Sequence, residues 1–464
     1  MSKKYLIETF GCQMNFHDAE RMAGLLEQAG YARAESDADA DLVVINTCSV
    51  RERAEDKLYT RLGELRALAQ DGRPAPVVAV TGCVAQQEGE ALLKRSALVD
   101  VVLGTQRLKM LPMLAAEAAE RRAPQVDIST PYDDVSFPLG VMRRSDPVRA
   151  WVTIIEGCND FCAFCVVPYT RGHERMRAKA DILADVREAV ATGRREVQLL
   201  GQIVNHYQAP DDERCDFPAL LEAVHEIPGV ERIRFASPHP RHCSDRLIAA
   251  VRDLPRVCKH LHLPVQSGST TMLARMRRRH TREQYLDLVG RIRAAIPNIQ
   301  LSTDMIVGFP GETEAEFEDT LSLTAAVGYH SIFSFKYSER PNTLAARRLP
   351  DDVPEAEKTR RIVALQQLQR GIQTRLLAGT VGQTVDVLVD GSSRRRAWEL
   401  SGRTGGNTVV NFPGDPSWVG RTLPVAVKRS GPHSVWGEVA AGADVGAPAV
   451  EAGTGVSEEA GERC

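Results

Sequence analysis

From residue 4 to about residue 375, short runs rich in valine and isoleucine alternate with longer stretches of helical periodicity. A short apolar run bounded by turn residues reads as a strand buried on both faces. Strands that alternate with helices assemble into a parallel α/β sheet. KYLIETF, DLVVINT, PVVAVTG and VDVVLGT are four such runs in the first 125 residues. DAERMAGLLEQAG, closing on Gly30 as a C-cap does, and LKMLPMLAAEAAERR supply helices between and after them. The spacing predicts an N-terminal open parallel α/β sheet domain over 1–125. Residues 126–146, with Pro131, Pro138 and several aspartates, read as a linker.

The alternation resumes at larger scale over 147–375. AWVTIIEG, EVQLLG, ERIRFAS, KHLHLPV, QLSTDMIVG and SIFSFKY are its strand candidates. Six βα units are fewer than the eight that close a barrel, so a central partial (βα)6 barrel is expected. The pattern then changes. Residues 376–440 read as short strands broken by Gly and Asn turns, the signature of a small antiparallel β-barrel. Residues 441–464 are rich in Gly, Ala and Glu and are expected to be a disordered acidic tail. That tail holds five acids and one base, so the net charge of −3 hides a body close to neutral with local basic clusters. No run approaches the ~20 apolar residues that span a bilayer, and the start lacks the apolar stretch of a secretory signal. A cytoplasmic enzyme with no membrane association is the expectation.

Ten cysteines in such a chain point to metal or redox chemistry rather than to disulfides. Cys12, Cys48 and Cys83 each fall just past the carboxyl end of a predicted parallel strand. Ligands bind along that edge of an open α/β sheet, and three thiolates delivered there can hold an iron–sulfur cluster. An inert buried thiol is the ordinary fate of any one of them; three in equivalent positions argue otherwise. Cys158, Cys162 and Cys165 form a Cys-x3-Cys-x2-Cys loop directly after AWVTIIE. That spacing wraps three sulfurs around one cluster and leaves one iron open to a small molecule. Zinc is the competing ion. It would recruit a fourth Cys or His at similar spacing, and the nearest, His173, lies eight residues beyond Cys165 and past a proline. Cys215, Cys243, Cys258 and Cys464 lack such context. His239, His242, His260 and His262 look like a ligand set, yet HLHLP reads as a strand with alternating faces and nothing converges with it at metal-site spacing.

The Cys-x3-Cys-x2-Cys loop, placed after the first strand of a partial barrel, resembles the radical S-adenosylmethionine superfamily. The full arrangement is similar to its methylthiotransferase family: an N-terminal three-cysteine domain, a radical domain and a C-terminal barrel of the TRAM type. The resemblance covers about 1–440. TFGCQMNFHDAE, INTCSVRERAEDK and VTGCVAQ look like the branch acting on isopentenylated tRNA. HLPVQSGST and DMIVGFPGETEAEF also match the family's pattern, whereas LLGQIVNHY carries Ile203 where the family usually has Asn.

The resemblance implies two [4Fe–4S] clusters, one on Cys158, Cys162 and Cys165 and an auxiliary one on Cys12, Cys48 and Cys83. It implies that the first cleaves S-adenosyl-L-methionine to a 5′-deoxyadenosyl radical, which takes hydrogen from C2 of the adenine at tRNA position 37. A second S-adenosylmethionine then methylates a sulfur of the auxiliary cluster, and that sulfur is inserted at C2. Gly308, Gly311 and Glu312 of GFPGET are the candidate contacts to S-adenosylmethionine; the alternative is a tight turn that needs glycine. Arg394, Arg395 and Arg396, on a predicted hairpin turn of the small barrel, are the candidate RNA contacts, with the run from Arg275 to His280 as further phosphate contacts. Implied partners are a tRNA anticodon stem-loop carrying isopentenyladenosine and a reduced flavodoxin or ferredoxin-like electron donor, with the chain a monomer. Two other readings stay open: a methylthiotransferase acting on threonylcarbamoyl-adenosine or a ribosomal-protein aspartate, and an iron–sulfur tRNA-binding protein without catalysis.

Overall fold

The alternating runs of the N-terminal segment pair as the sequence predicts, with two short strands added at the edges. In this computed structural model, residues 2–49, 52–69, 75–130, 142–393, 396 and 398–442 are described. Strands β1 (Lys4–Phe10), β2 (Ala32–Arg33), β3 (Leu42–Thr47), β4 (Val77–Gly82), β5 (Val101–Leu103) and β6 (Gln125–Asp127) form one sheet in the order β2-β1-β3-β4-β5-β6. Every pairing is parallel. Alternate side chains of β3 go to opposite faces: Leu42 and Val44 join Met22, Leu26 and Leu111 on one side, and Val43 and Ile45 join Leu58 and Leu62 on the other. Covering helices are therefore needed on both faces, and 13–28 and 111–121 fill one while 52–69 fills the other. The chain runs outward from β1 to β2 and then returns to place β3 on the opposite side of β1. Such a reversal opens a crevice at the carboxyl ends of the two strands.

The second segment supplies β7 (Arg149–Thr153), a two-residue ribbon of β8 (Ile155–Glu156) with β9 (Arg175–Met176), then β10 (Glu196–Leu200), β11 (Arg232–Phe235), β12 (His260–His262), β13 (Gln300–Val307) and β14 (Ser331–Lys336). The six long strands run parallel as β7-β10-β11 and β12-β13-β14, and an Ile233–Val257 bridge links the two groups. Among the described residues β7 and β14 do not pair, so the barrel is partial and open. Its outer helices start on side-chain caps: Asp216 and Ser244 accept from backbone N–H groups, and Thr281 with Gln284 and Thr313 with Glu316 form reciprocal capping boxes.

The third segment closes β15 (Thr384–Ser392), β16 (Glu399–Thr404), β17 (Val409–Pro413), β18 (Thr422–Ser430) and β19 (Val435–Val439) into a barrel around Val387, Val389, Leu400, Phe412 and Val425. It seats on the amino ends of β7, β10 and β11. There Glu196, 1% exposed, receives Arg149 and Arg234 at 2.7 and 2.8 Å. Arg149 also pairs Asp390 at 2.9 Å, and Arg234 donates to the Thr404 carbonyl at 2.7 Å. Burial works against Glu196 ionising, but the arginines outweigh it and hold the carboxyl at about 2.

Candidate active site

Cys12, Cys48 and Cys83 follow the adjacent strands β1, β3 and β4 and meet at the crevice. Cys12 caps the helix 13–28, Cys48 is held by its N–H to the Phe10 carbonyl at 3.0 Å, and Cys83 opens the helix 83–88. Gly82 makes the third approach available. Its φ is +89°, and a Cβ there would stand 2.5 Å from the Thr47 carbonyl oxygen, a conformation that glycine alone takes without strain. Asn15 donates to Asn46 Oδ1 at 3.1 Å and accepts the Cys12 N–H at 3.3 Å, which locks the two strand ends together. The Cys48 thiol lies between the other two. Hydrogen bonding to Cys48 is the main cause that lowers Cys12 to about 6 and Cys83 to about 7; burial opposes it, and the Arg171 guanidinium adds to the lowering. The same bonds push Cys48 well up.

Arg171 comes from the radical-type loop, six residues past Cys165. It is 5% exposed and its Nη2 meets Asp18 Oδ2 at 2.7 Å. Burial raises Asp18, but Arg171 and then His17 bring it down to about 2. The neighbouring carbonyls are also taken from the N-terminal domain: Thr105 Oγ1 donates to Thr170 O at 2.6 Å and Gln106 Nε2 to Arg171 O at 2.9 Å. The Gly172 carbonyl in turn accepts the Cys158 N–H at 3.1 Å. Thr170–Gly172 thus joins the two cysteine groups through three consecutive residues.

Cys158, Cys162 and Cys165 sit past the end of β8. Gly157, with φ +78°, turns the chain there; a Cβ would lie 2.1 Å from the His173 carbonyl. Cys158 Sγ accepts the Asp160 N–H, and Cys162 Sγ accepts from Arg278 Nη1, both at 3.5 Å. Burial pushes Cys158 and Cys165 up to about 12. His173 is exposed and bonded through Nδ1 to Asn159 at 3.0 Å, away from the thiols. Among the described residues no three His, Cys, Asp or Glu side chains are set to hold a metal ion. Each trio offers thiols alone, on a loop or edge with basic side chains beside it, and that donor set fits an iron–sulfur cluster.

The other sequence-predicted residues fall in varied places. The turn with Gly308, Gly311 and Glu312 packs against the helix 355–378: Glu312 is 4% exposed, accepts the Gly308 N–H at 2.6 Å and pairs Arg361 at 2.8 Å. A Cβ on Gly308 would strike Lys358, and one on Gly311 would strike Arg275. In the run from Arg275 to His280, Arg277 and Arg279 are exposed and two other arginines turn to the protein. Arg275 donates to the Pro310 carbonyl, and Arg278 is buried between Cys162 and the Pro264 carbonyl. Ile203 is buried, while Asn205 two residues on bonds both backbone groups of His239. Cys215, Cys243 and Cys258 are buried. Arg394 and Arg395 lie outside the described residues. Arg396 is in the hairpin loop between β15 and β16, paired to Glu399 at 2.9 Å and stacked 5.5 Å from the centroid of Trp398. Trp398 is 57% exposed, and Arg429 stacks likewise on Trp436 at 4.6 Å.

A continuous cavity of about 2790 Å³ joins the auxiliary-cysteine edge, the barrel lumen and the small barrel. Cys12 and Cys48 open on it from the N-terminal domain, Trp151, His262 and Asp304 from the lumen, and Arg396 and Trp436 from the small barrel. Asn15, Asp18, Arg171 and Trp398 are the functional candidates that the sequence reading passed over, and Arg278 was read there as part of a phosphate-contacting run. Of the four, Arg171 carried a signal, as a basic residue close to a cysteine motif.

Comparison with known proteins matches residues 4–104 to "Uncharacterized protein family UPF0004", 152–324 to the radical SAM superfamily and 379–440 to the TRAM domain. A Halorhodospira halophila protein named tRNA-2-methylthio-N(6)-dimethylallyladenosine synthase is 47% identical over 95% of this chain and 93% of its own. A Geobacter metallireducens protein of the same name is 47% identical over 94% of this chain and 98% of its own. Among solved structures, the radical S-adenosylmethionine methyltransferase TsrM from Kitasatospora setae, with cobalamin and a [4Fe–4S] cluster bound, aligns at a TM-score of 0.54 and 15% identity. It covers 75% of this chain and 74% of the other, a likeness of fold.

Proposed function

The chain belongs to the family of tRNA-2-methylthio-N(6)-dimethylallyladenosine synthases, and from that premise we propose that it methylthiolates C2 of N6-isopentenyladenosine at position 37 of tRNA. It is a radical S-adenosylmethionine enzyme whose cofactors are [4Fe–4S] clusters and S-adenosylmethionine. The observation that carries the reading is the shared cavity, because sulfur insertion into a base needs the auxiliary thiols, the barrel lumen and an RNA surface at one place. In this reading Cys158, Cys162 and Cys165 hold one cluster and Cys12, Cys48 and Cys83 the other. When bound, the first supplies the electron that cleaves S-adenosylmethionine and the second the sulfur chemistry, neither of which a side chain can provide.

The chain's own residues do the rest. Asn15 and Asn46 fix the strand ends that carry Cys12 and Cys48, and Arg171 with Asp18 places positive charge beside the auxiliary thiols. Arg278 does the same at Cys162. Arg396 and Trp398 offer a cation and a ring face to RNA, the pairing that holds unstacked bases in single-stranded loops. The domain division follows 1–125, 147–375 and 376–440, with 126–146 the linker and 441–464 the tail. No helix among the described residues is long and apolar enough to cross a membrane; a cytoplasmic monomer supplied with electrons by a small flavodoxin or ferredoxin completes the reading. Anaerobic reconstitution with iron and sulfide, reduction, and assay on an anticodon stem-loop bearing N6-isopentenyladenosine should yield the methylthiolated base. Production of 5′-deoxyadenosine with no change in that RNA would overturn it.

A further inference from the structure

Three neighbouring strands turn polar and aromatic side chains into the lumen side by side. His260 and His262 of β12, Ser302 and Asp304 of β13, and Phe333 and Phe335 of β14 all line the cavity. Ser302 Oγ lies 3.0 Å from His260 Nε2 and 3.0 Å from His262 Nδ1. A hydroxyl has one proton to donate, so at least one of these imidazoles presents an N–H to it. The second nitrogen of His262 is 3.4 Å from Asp304 Oδ1, and its ring meets Phe333 edge-on at 5.6 Å. Burial and then Arg234 keep His260 well below the usual histidine range, so the chain of contacts begins on a neutral ring. Ser302 thereby sets the His262 ring, whose other nitrogen stands beside one oxygen of Asp304.

The other oxygen is free. Asp304 Oδ2 has no partner among the described residues, and the side chain is 30% exposed, on the cavity side. Phe333 is the register neighbour of Asp304, so an aromatic face stands beside the carboxylate. Two residues along from His262, the Pro264 carbonyl accepts from Arg278 at 2.8 Å, and the same arginine donates to Cys162. The carboxylate lies in the cavity onto which Cys12 and Cys48 open.

An ionised carboxylate can only accept hydrogen bonds. An adenine with one alkyl group on N6 keeps a single exocyclic N–H; its ring nitrogens N1, N3 and N7 are all acceptors. We propose that Asp304, standing beside His262, is the specificity residue that accepts the exocyclic N–H of an N6-monoalkylated adenine, while Phe333 and Phe335 pack its hydrocarbon substituent. The inference rests on the function proposed above and adds the residues that read the base.

The test compares two anticodon stem-loops, one bearing N6-isopentenyladenosine and one bearing N6-methyl-N6-isopentenyladenosine, which has no exocyclic N–H. The reconstituted wild type should bind and turn over the first at least about 10-fold better, as loss of a hydrogen bond to a charged group requires. Asp304→Ala should raise KM for the first RNA about 10–100-fold and erase the preference. Thermal melting and iron content report whether the variant folds; if it does not, the two RNAs on wild type still decide. Equal wild-type affinity for both RNAs, or a folded Asp304→Ala enzyme with the wild-type KM and preference, would overturn the proposal. A wild type that binds the first RNA selectively yet modifies neither would sink the methylthiolation reading and leave this subsite standing.

Discussion

Replacing Arg171 with methionine removes the guanidinium from the buried pair with Asp18 that ties the radical-type loop to the helix capped by Cys12. Asp18 keeps 1% exposure, and its Oδ1 already has no hydrogen-bond partner, so the variant leaves a buried carboxylate with only the weaker help of His17 and Arg21 against its desolvation. Breaking a buried pair by removing one partner costs about 3–5 kcal/mol. The fall of Asp18 from 3.8 to about 2, the net of burial against Arg171, His17 and Arg21, corresponds to about 2.5 kcal/mol. The sign follows from the depressed carboxyl. Its stabilising contribution is present above pH 3.8 and is lost as the pH falls toward 2, so the defect of Arg171→Met should be full at neutral pH and shrink in acid. The assay is urea unfolding of the metal-free chain for wild type, Arg171→Met, Asp18→Leu and the double variant, compared as a cycle. The double variant should recover much of the loss, because a hydrophobic replacement of both partners no longer strands a charge. A single variant within about 0.5 kcal/mol of wild type, or a double variant no better than Arg171→Met, would refute the account.

Three further outcomes are expected. Burial raises Glu20 from 4.5 to about 7, so it folds protonated while the unfolded chain ionises. Stability should fall as the pH rises from 4.5 to 7, by up to about 3 kcal/mol, and Glu20→Gln should flatten that slope in the same urea series. Cys162→Ala should abolish 5′-deoxyadenosine formation while about half the reconstituted iron remains, whereas Cys48→Ala should still form 5′-deoxyadenosine and yield no methylthiolated RNA; full product from Cys48→Ala would remove the auxiliary site from the reaction. Trp398→Ala should weaken stem-loop binding by about 1–3 kcal/mol, the range for one stacked base, with iron content unchanged, as titration of labelled RNA would show.

What could be read in advance followed from local patterning. KYLIETF, DLVVINT and PVVAVTG became β1, β3 and β4 because a strand buried on both faces must be apolar throughout. The edge strands β2 and β6, two and three residues long, carry no such run and escaped notice; β6 runs on into the first two residues of the expected linker. The cysteines were legible for the same reason, since ligand spacing and strand ends are sequence properties. Asp18 and Arg171 stand 153 residues apart and acquire a role only by meeting. The basic run divides in a related way. Arg277 and Arg279 are exposed, as charge density suggests, but Arg278 turns inward to Cys162 and the Pro264 carbonyl. His260 and His262 follow the strand period as expected and point the same way; their convergence is on Ser302 rather than on a metal.

The small barrel is seated by arginines that begin the strands of the large one, donating into its backbone carbonyls and pairing with Asp390. Backbone carbonyls cannot swing away as side chains do, so β15 and β16 stand in a set relation to the lumen. In the function proposed above this would make the protein a ruler: an RNA gripped at the β15–β16 hairpin would present to the lumen the nucleotide lying that far along it, and the modified position would be measured as a length before any base is read.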